Sequence, residues 1–566
     1  MFRKNEDVTL SITEINNLGC GVGKKDGMTF FVKGAVGGDE VEASIIKVNK
    51  TYCVARLLRV RKPSPFRASE SFCDAPEACG GCVYRHVDYA YELCMKQHYV
   101  QNAFRKAGLP DVQVEEVRTA GEPRGYRNKV QYPFGVSGGR VCIGFYAGKT
   151  HKVIPCAACA LGAPLFAEIG TFVCDYANEK GLSVYDENTG KGLLRHLYLR
   201  EGKNTGEVMV CLVVNGDSLP DEKGFADALC ARFPRVVSVI LNENKKNTNV
   251  ILGRTYRMLR GKDHIEDVLC GKRFRIAPAA FYQVNHDGAE LLYATAAEKA
   301  ALSGKETLLD LYCGIGTIGI SLSDKVKKLV GIEIVDAAVK CAKENADLNG
   351  LADAEFFCGD AGDAENLVAR ALALCGEMPT VIVDPPRKGL DAALIHHLAQ
   401  KNIERIVYVS CDPDTLARDC KLFSALGYEI GTVTPVDMFP RTGHVENVVC
   451  LSREKITHEM KLNPTPFAMI KSGEKTVELR LFDEKRQRIK AGDTIVFTDT
   501  ATGETLTKTV AKLHRFDSFD ELYKSLPLLQ CGYTSEDVEK ADPSDMELYY
   551  SVEAQKKYGV VGIELC

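Results

Sequence analysis

The sequence predicts an α/β chain of several domains: an OB-type β-barrel first, then a strand-rich middle region, then a Rossmann-like doubly wound sheet. Three observations lead there. At 566 residues the chain is too long for one hydrophobic core. Residues 1–61 break into short apolar runs separated by Gly-rich turns (VTLSITEI, MTFFVKG, VEASIIKV, YCVARLLRV), the pattern of a small closed barrel. From 271 to 455, strand-like runs alternate with helical stretches, as in a parallel sheet covered on both faces.

Composition narrows the function classes. The chain starts MFRKNEDVTL, without an apolar leader, and nowhere runs about 18 uncharged apolar residues together, so a cytoplasmic monomer with no membrane role is expected. Twenty-two cysteines without a secretion signal favour metal-binding or catalytic thiols over a disulfide scaffold. Net charge is only −4, so any nucleic-acid surface must be local. Two basic stretches qualify: Lys47, Lys50, Arg56, Arg59, Arg61 and Lys62, and then Arg254, Arg257, Arg260, Lys262, Lys272, Arg273 and Arg275. Each reads equally well as a solvated face.

The N-terminal barrel resembles a TRAM domain, which implies RNA contact through a basic, partly aromatic face. After the linker KPSPFR, residues 62–119 form a cysteine-rich segment in which Cys73, Cys79 and Cys82 follow C-x5-C-x2-C, with Gly80 and Gly81 letting the backbone wrap closely. A further thiolate must come from elsewhere, and HKVIPCAACAL offers Cys156 and Cys159. Read from spacing alone, a four-cysteine zinc site stays open beside an iron–sulfur cluster. Residues 120–270 form the strand-rich middle domain, whose PRGYRNK run (Arg124, Tyr126, Arg127, Lys129) can hold phosphates and stack bases.

In residues 271–455, ETLLDLYCGIG is a strand entering a glycine turn, KKLVGIEIV a second strand, and PTVIVDPPRKG, ERIVYVSC and VENVVCLS later ones. Ligands of such sheets bind at the carboxyl ends of the strands. Gly314 and Gly316 permit close backbone approach, and Glu333 can accept both hydroxyls of a ribose; a dinucleotide enzyme would use the same devices. Asp384 in DPPR and Cys411 in YVSCDPDT separate the possibilities. C5 of uracil is a poor nucleophile until a thiolate adds at C6, and the adduct must then lose the C5 proton. Cys411 suits the first task and Glu446, in DMFPRTGHVE, the second. Adenine N6 methylation needs neither, and a cysteine hydrolase built on Cys411 and His444 has no use for the glycine turn, Glu333 and DPPR.

These motifs resemble the RNA uracil-5 methyltransferase family that modifies transfer and 23S ribosomal RNA. Asp384, Pro385, Pro386, Arg387, Gly389, Tyr408, Ser410, Cys411 and Thr415 meet its first signature, and Asp437, Phe439, Pro440, Thr442, His444 and Glu446 its second. Asp412 stands where Asn is frequent, and Arg441 where Gln or His is common. The resemblance implies S-adenosyl-L-methionine as methyl donor, with Gln283 touching cofactor or uracil, Tyr312 and Thr317 beside the cofactor, Glu333 on its ribose, Asp360 near adenine and Asp384 facing the methyl group. It also implies a closed, structural [4Fe-4S] cluster on Cys73, Cys79, Cys82 and Cys159, with Cys156 as rival fourth ligand. TRAM barrel and cluster together favour 23S rRNA over tRNA.

Residues 458–566 resemble an ASCH domain, implying a small PUA-like barrel associated with RNA. Lys471, Lys475, Arg480, Lys485, Arg486 and Arg488 are its candidate phosphate contacts. A hydrolase of modified nucleosides using Lys475 and Thr476 is the alternative.

Overall fold

Strict alternation decides the N-terminal architecture: along Asp7–Ile15, Val8, Leu10 and Ile12 turn inward while their neighbours face out. In the computed structural model, which describes residues 2–148, 150–376, 379–401, 403–453, 456–490 and 492–566, this strand pairs with Cys20–Lys25 and Glu40–Val48. With Met28–Lys33 and Tyr52–Lys62 the five strands close into a barrel around Phe30, Val32, Val41, Ala43, Ile45 and Cys53.

The chain divides into two compact units. One comprises 1–397, 405–426 and 430–452, the other 398–404, 427–429 and 453–566. Residue 455, an expected domain boundary, lies outside the described residues.

Within the first unit, helix Tyr89–Lys106 follows the cysteine-rich segment. Asp88 caps it by accepting the Tyr91 amide (3.2 Å). Its buried stripe is Glu92, Lys96, Val100, Ala103 and Phe104, so two charges sit on the face that normally carries only apolar groups. Lys96 Nζ donates to Glu92 Oε1 (2.8 Å), to Asp437 Oδ1 (2.7 Å) and to the Phe439 carbonyl (3.2 Å). Removing one partner from such a buried set leaves a charge uncompensated, at a cost of about 3–5 kcal/mol.

The middle region is a seven-stranded sheet in the order Thr255–Gly261, Val236–Glu243, Val208–Val214, Leu194–Glu201, Lys129–Ser137, Arg140–Tyr146, Val153–Pro155. Its strand VMVCLVV is buried on both faces. Val208, Val210, Leu212 and Val214 pack with helices Pro164–Glu179 and Glu222–Arg232, whereas Met209 and Cys211 join the core around helix His286–Ala300. The period of two thus fuses this sheet to the next layer.

That layer is a parallel sheet in the order Ala354–Cys358, Lys328–Glu333, Thr307–Leu311, Pro379–Val383, Arg405–Ser410, followed by antiparallel Glu446–Arg453. The order reverses between Thr307–Leu311 and Pro379–Val383, which opens a crevice at their carboxyl ends. The architecture is therefore the mixed α/β, multidomain arrangement with an N-terminal barrel that the sequence predicts. None of the 22 cysteines is in a disulfide, and among the described residues no helix is long and apolar enough to cross a membrane.

The second unit holds a five-stranded sheet in the order Thr457–Leu462, Thr494–Asp499, Thr505–Phe516, Val560–Leu565, Val477–Leu481. The expected PUA-like barrel meets here a sheet that runs between two end strands.

Candidate active site

The turn after Thr307–Leu311 is conformationally demanding. Gly314 (φ +58°) and Gly316 (φ +84°) take the left-handed region, and so does Tyr312 (φ +66°), where a bulky side chain is strained. The Tyr312 hydroxyl is buried without a hydrogen-bond partner among the described residues. Asp310, just before it, accepts the Gly319 amide at Oδ2 (2.9 Å) and leaves Oδ1 buried and unpartnered; burial pushes its carboxyl up to about 7. On the next strand, Glu333 accepts the Gly314 amide at Oε2 (3.1 Å) and the Val335 amide at Oε1 (2.9 Å), which fixes the carboxylate beside the glycine turn. Asp360 lies beyond the end of strand Ala354–Cys358, accepting the Gly362 amide (2.8 Å), while the neighbouring Gly359 amide donates to the Glu333 carbonyl (2.9 Å).

The DPPRKG loop is tied to the helix that follows Cys411. Asp419 of helix Pro413–Ala425 accepts the Tyr408 hydroxyl (2.7 Å) and the Leu390 amide (2.8 Å) at Oδ2, and Arg418 Nε (2.8 Å) at Oδ1. Gly389 must be glycine: its φ is +75°, and a Cβ there would sit 2.5 Å from Asp419 Oδ2. Asp412 is the helix cap, accepting the Asp414 (3.1 Å) and Thr415 (3.0 Å) amides. Asn and Asp cap equally well, so this departure from the family signature leaves the turn beneath Cys411 intact.

Asp384, Cys411 and Glu446 come together electrostatically. Burial, and then the Glu446 and Asp384 charges, push the Cys411 thiol up to about 11 against the opposing effect of Arg387. Burial also lifts the Asp384 and Glu446 carboxyls well above the usual carboxylate range, and the Asp384 charge lifts Glu446 further. Burial, with Arg387 and Lys96, pushes His444 down. Glu446 opens its strand at the base of a hairpin, paired with Val436.

Gln283 is buried, and its backbone carbonyl accepts Asn128 Nδ2 (3.0 Å). The cap of helix His286–Ala300 is Asn285, whose Nδ2 also donates to the Met438 carbonyl (3.1 Å). Arg441, the second departure, is a buried clamp. Its Nη1 donates to the Val87 carbonyl (2.8 Å), its backbone amide to Glu92 Oε1 (2.7 Å), and its guanidinium lies over Phe72 (4.6 Å) and Tyr89 (5.1 Å). The sequence reading missed Lys96, Glu92 and this role of Arg441. The available signal was a Glu–Lys pair at i,i+4 in phase with Val100 and Phe104.

Cys73, Cys79, Cys82, Cys156 and Cys159 line one cavity of about 290 Å³ with Phe72, and no group of three or more His, Cys, Asp or Glu among the described residues is arranged to hold a metal ion. The four expected ligands ring a space rather than close on a point. Cys73, Cys82 and Cys159 pack on the Phe72, Tyr126 and Leu161 cluster. The Cys82 thiol is close enough to Cys73, Cys79 and Cys159 for each of them to raise it, so four soft sulfur donors share one neighbourhood.

The basic stretches carry ion pairs within the fold. In the second, Arg257 pairs with Glu222, Arg260 with Asp227, Lys262 with Glu207, Lys272 with Asp324, Arg273 with Glu266, and Arg275 with Asp263 and Glu344. Arg257, Arg260, Lys262 and Arg273 stay 42–54% exposed in these pairs, so each pair contributes about 0–1 kcal/mol. In the barrel, Arg59 and Arg61 share Glu42, and in the C-terminal unit Lys471 pairs with Glu504, Lys475 and Arg480 with Glu478, and Arg486 with Asp483.

Residues 237–454 match the family model for tRNA (Uracil-5-)-methyltransferase, and residues 460–566 that for the ASCH domain. An uncharacterized RNA methyltransferase of Clostridium tetani is 41% identical over 450 residues, 80% of this chain and 97% of its own. Another, of Halalkalibacterium halodurans, is 39% identical over 449 residues, 79% of this chain and 97% of its own. The Pyrococcus abyssi tRNA (uracil-54, C5)-methyltransferase, solved in complex with S-adenosyl-L-homocysteine, aligns with a TM-score of 0.64 at 28% identity, covering 78% of this chain and all of that one.

The raised Glu446 carboxyl has a consequence for stability. Below the ordinary glutamate range both folded and unfolded chains hold the proton; above it the unfolded chain ionises while the folded one resists, so Glu446 opposes folding increasingly as pH rises toward its folded value. Glu446→Gln carries no such penalty. Its thermal midpoint relative to the parent is expected to rise between about pH 5 and about pH 8, measured by calorimetry.

Proposed function

Because the chain belongs to the tRNA (uracil-5-)-methyltransferase family, with an ASCH domain at residues 460–566, it is an RNA methyltransferase; we propose that it methylates C5 of uracil in RNA with S-adenosyl-L-methionine as donor. The observation that carries this reading is the gathering of a thiol and two protonation-tuned carboxyls, Cys411, Glu446 and Asp384, at one end of a doubly wound sheet.

The crevice fits the donor by its unsatisfied groups. Glu333, held by two amides, presents its remaining lone pairs to a ribose; the Tyr312 hydroxyl and Asp310 Oδ1 are buried polar atoms without partners; Asp360 lies at the adjacent strand end; Gln283 adds an amide near cofactor or uracil. Bound there, S-adenosyl-L-methionine supplies an electrophilic methyl group. The Cys411 thiol gives its proton to water and its sulfur bonds to C6 of a flipped uracil; the C5=C6 electron pair moves into an enolate, and C5 then bonds to the donor's methyl carbon as the methyl–sulfonium bond breaks, leaving S-adenosyl-L-homocysteine. Asp384 holds the uracil edge toward the methyl group. Once C5 bears both methyl and hydrogen, Glu446 takes that proton, the C5=C6 bond re-forms and the C6–S bond breaks, returning Cys411. A hydrolase role for Cys411 is disfavoured, since its electrostatic neighbours are carboxyls and Arg387 rather than His444.

Cys73, Cys79, Cys82 and Cys159 are read as ligands of a [4Fe-4S] cluster, which when bound supplies a structural cross-link between chain segments. The barrel and the ASCH domain, read as PUA-like, hold RNA. Barrel and cysteine cavity together favour 23S rRNA as substrate. A tRNA substrate is the second reading, favoured by the likeness to the Pyrococcus abyssi enzyme. Mapping 5-methyluridine in both RNAs from cells lacking the protein separates them: loss confined to rRNA supports the first, loss confined to tRNA the second.

Cys411→Ala should abolish transfer of labelled methyl groups to RNA, and Glu446→Gln should accumulate an RNA adduct that survives a denaturing gel. Normal turnover by the first variant, or adduct-free methylated RNA from the second, would contradict the mechanism. Protein purified without oxygen should contain about four irons and four sulfides per chain. Colourless, zinc-containing protein would reject the cluster.

A further inference from the structure

Glu446 stands at the base of a hairpin whose loop, 437–445, is gripped along its length by parts of the chain remote in sequence. Asp437 accepts Lys96 Nζ (2.7 Å) and the Tyr89 hydroxyl (2.9 Å). The Met438 carbonyl accepts Asn285, and the Pro440 carbonyl accepts the Tyr126 hydroxyl (3.1 Å). At Gly443 any Cβ would collide with the Asn17 carbonyl of the barrel. The tip is Arg441, in the left-handed region at φ +68°, where its carbonyl accepts the Tyr84 amide (3.2 Å).

Arg441 differs from the rest of the loop in what it touches. Its guanidinium lies against Phe72, which neighbours Cys73 and lines the cysteine cavity; Arg124 covers Phe72 as well (4.5 Å). The same guanidinium donates to Val87, while its backbone amide is fixed by Glu92. A cation between two rings, with further bonds on both its side chain and its backbone, passes a displacement of one ring to the chain that carries it. Lateral freedom at the hairpin tip becomes angular freedom at its base, where Glu446 must meet a single C–H bond.

We propose that Arg441 is a positioning residue for Glu446, coupling the Phe72 wall of the cysteine cavity to the loop that aims the base. The proposal rests on the reading of Glu446 as the base that removes the C5 proton. It makes proton removal, rather than RNA binding or formation of the C6–S bond, the step that responds to the cysteine segment. Arg441→Lys keeps a cation between the rings and a donor for Val87; Arg441→Met keeps length and apolar bulk but loses both.

The test compares Arg441→Met, Arg441→Lys, Phe72→Leu and Glu446→Gln in single-turnover methylation, with gel-resolved adduct as one readout and amide hydrogen exchange over 437–446 as the other. Arg441→Met is expected to lower kcat by about 10- to 100-fold with KM for RNA within about twofold, to accumulate adduct as Glu446→Gln does, and to exchange faster over the loop. Arg441→Lys should recover most of the rate. Phe72→Leu, which leaves the Arg441 bonds to Val87 and Glu92 in place, should show a smaller change in the same direction. If Glu446→Gln accumulates adduct and Arg441→Met does not, or if kcat and KM worsen together with no recovery by Lys, the positioning role is overturned. If Glu446→Gln itself accumulates none, the reading of Glu446 has failed instead. Should Arg441→Met not fold, Phe72→Leu decides: an unchanged loop and unchanged adduct lifetime overturn the proposal.

Discussion

A buried, self-neutralising charge set underlies the catalytic region. Lys96 and Arg441 face Glu92 and Asp437, joining a helix near residue 96 to a loop more than 340 positions later. Burial alone would raise Glu92, and Lys96 and Arg441 act against it. Two cations and two anions within hydrogen-bonding reach limit the desolvation cost that one stray charge would incur. The gain is uniqueness of arrangement: an apolar interface would let the hairpin slide, whereas charge-assisted bonds with fixed partners admit one register. The cysteine segment, the barrel turn at Asn17 and the middle domain all settle against a loop that this set has already fixed.

The chemistry then follows from what the loop delivers. Glu446 reaches the crevice as a buried carboxyl beside Asp384, and each disfavours ionisation of the other. The same pair raises the Cys411 thiol. Arg387, from the DPPRKG loop, opposes that rise, and the ties from Asp419 to Tyr408 and Leu390 hold this loop next to the Cys411 turn. Cys411, Glu446 and Asp384, the proposed nucleophile, base and donor-facing carboxylate, thus act on one another's titration.

Much of this was legible because chemistry imposes residue types at strand ends. DLYCGIG, Glu333, DPPRKG, Cys411 and Glu446 announced themselves by motif, and the sheet order brings them to one edge. Asp412, standing where Asn is frequent, is a helix cap. What stayed hidden depends on tertiary partners. Lys96 and Glu92 resemble an ordinary solvated i,i+4 pair until Asp437 arrives from a distant segment, and Arg441 resembles a surface substitution until Phe72 and Tyr89 enclose it. The carboxylate partners of the second basic stretch, such as Glu222 for Arg257 and Glu344 for Arg275, lie on other elements, so the sequence displays the cations and conceals their ion pairs.

The central claim is that Cys411 forms the covalent bond to C6 and that loss of the C5 proton releases it. Substrate RNA carrying 5-fluorouridine has no C5 proton to lose, so methylation should end in a dead-end adduct. Digestion and mass spectrometry should then find the Cys411 peptide bearing a methylated fluorouracil nucleotide in near-stoichiometric yield. A methylated fluorouridine RNA released without attachment, or an adduct on any other cysteine, would contradict the account.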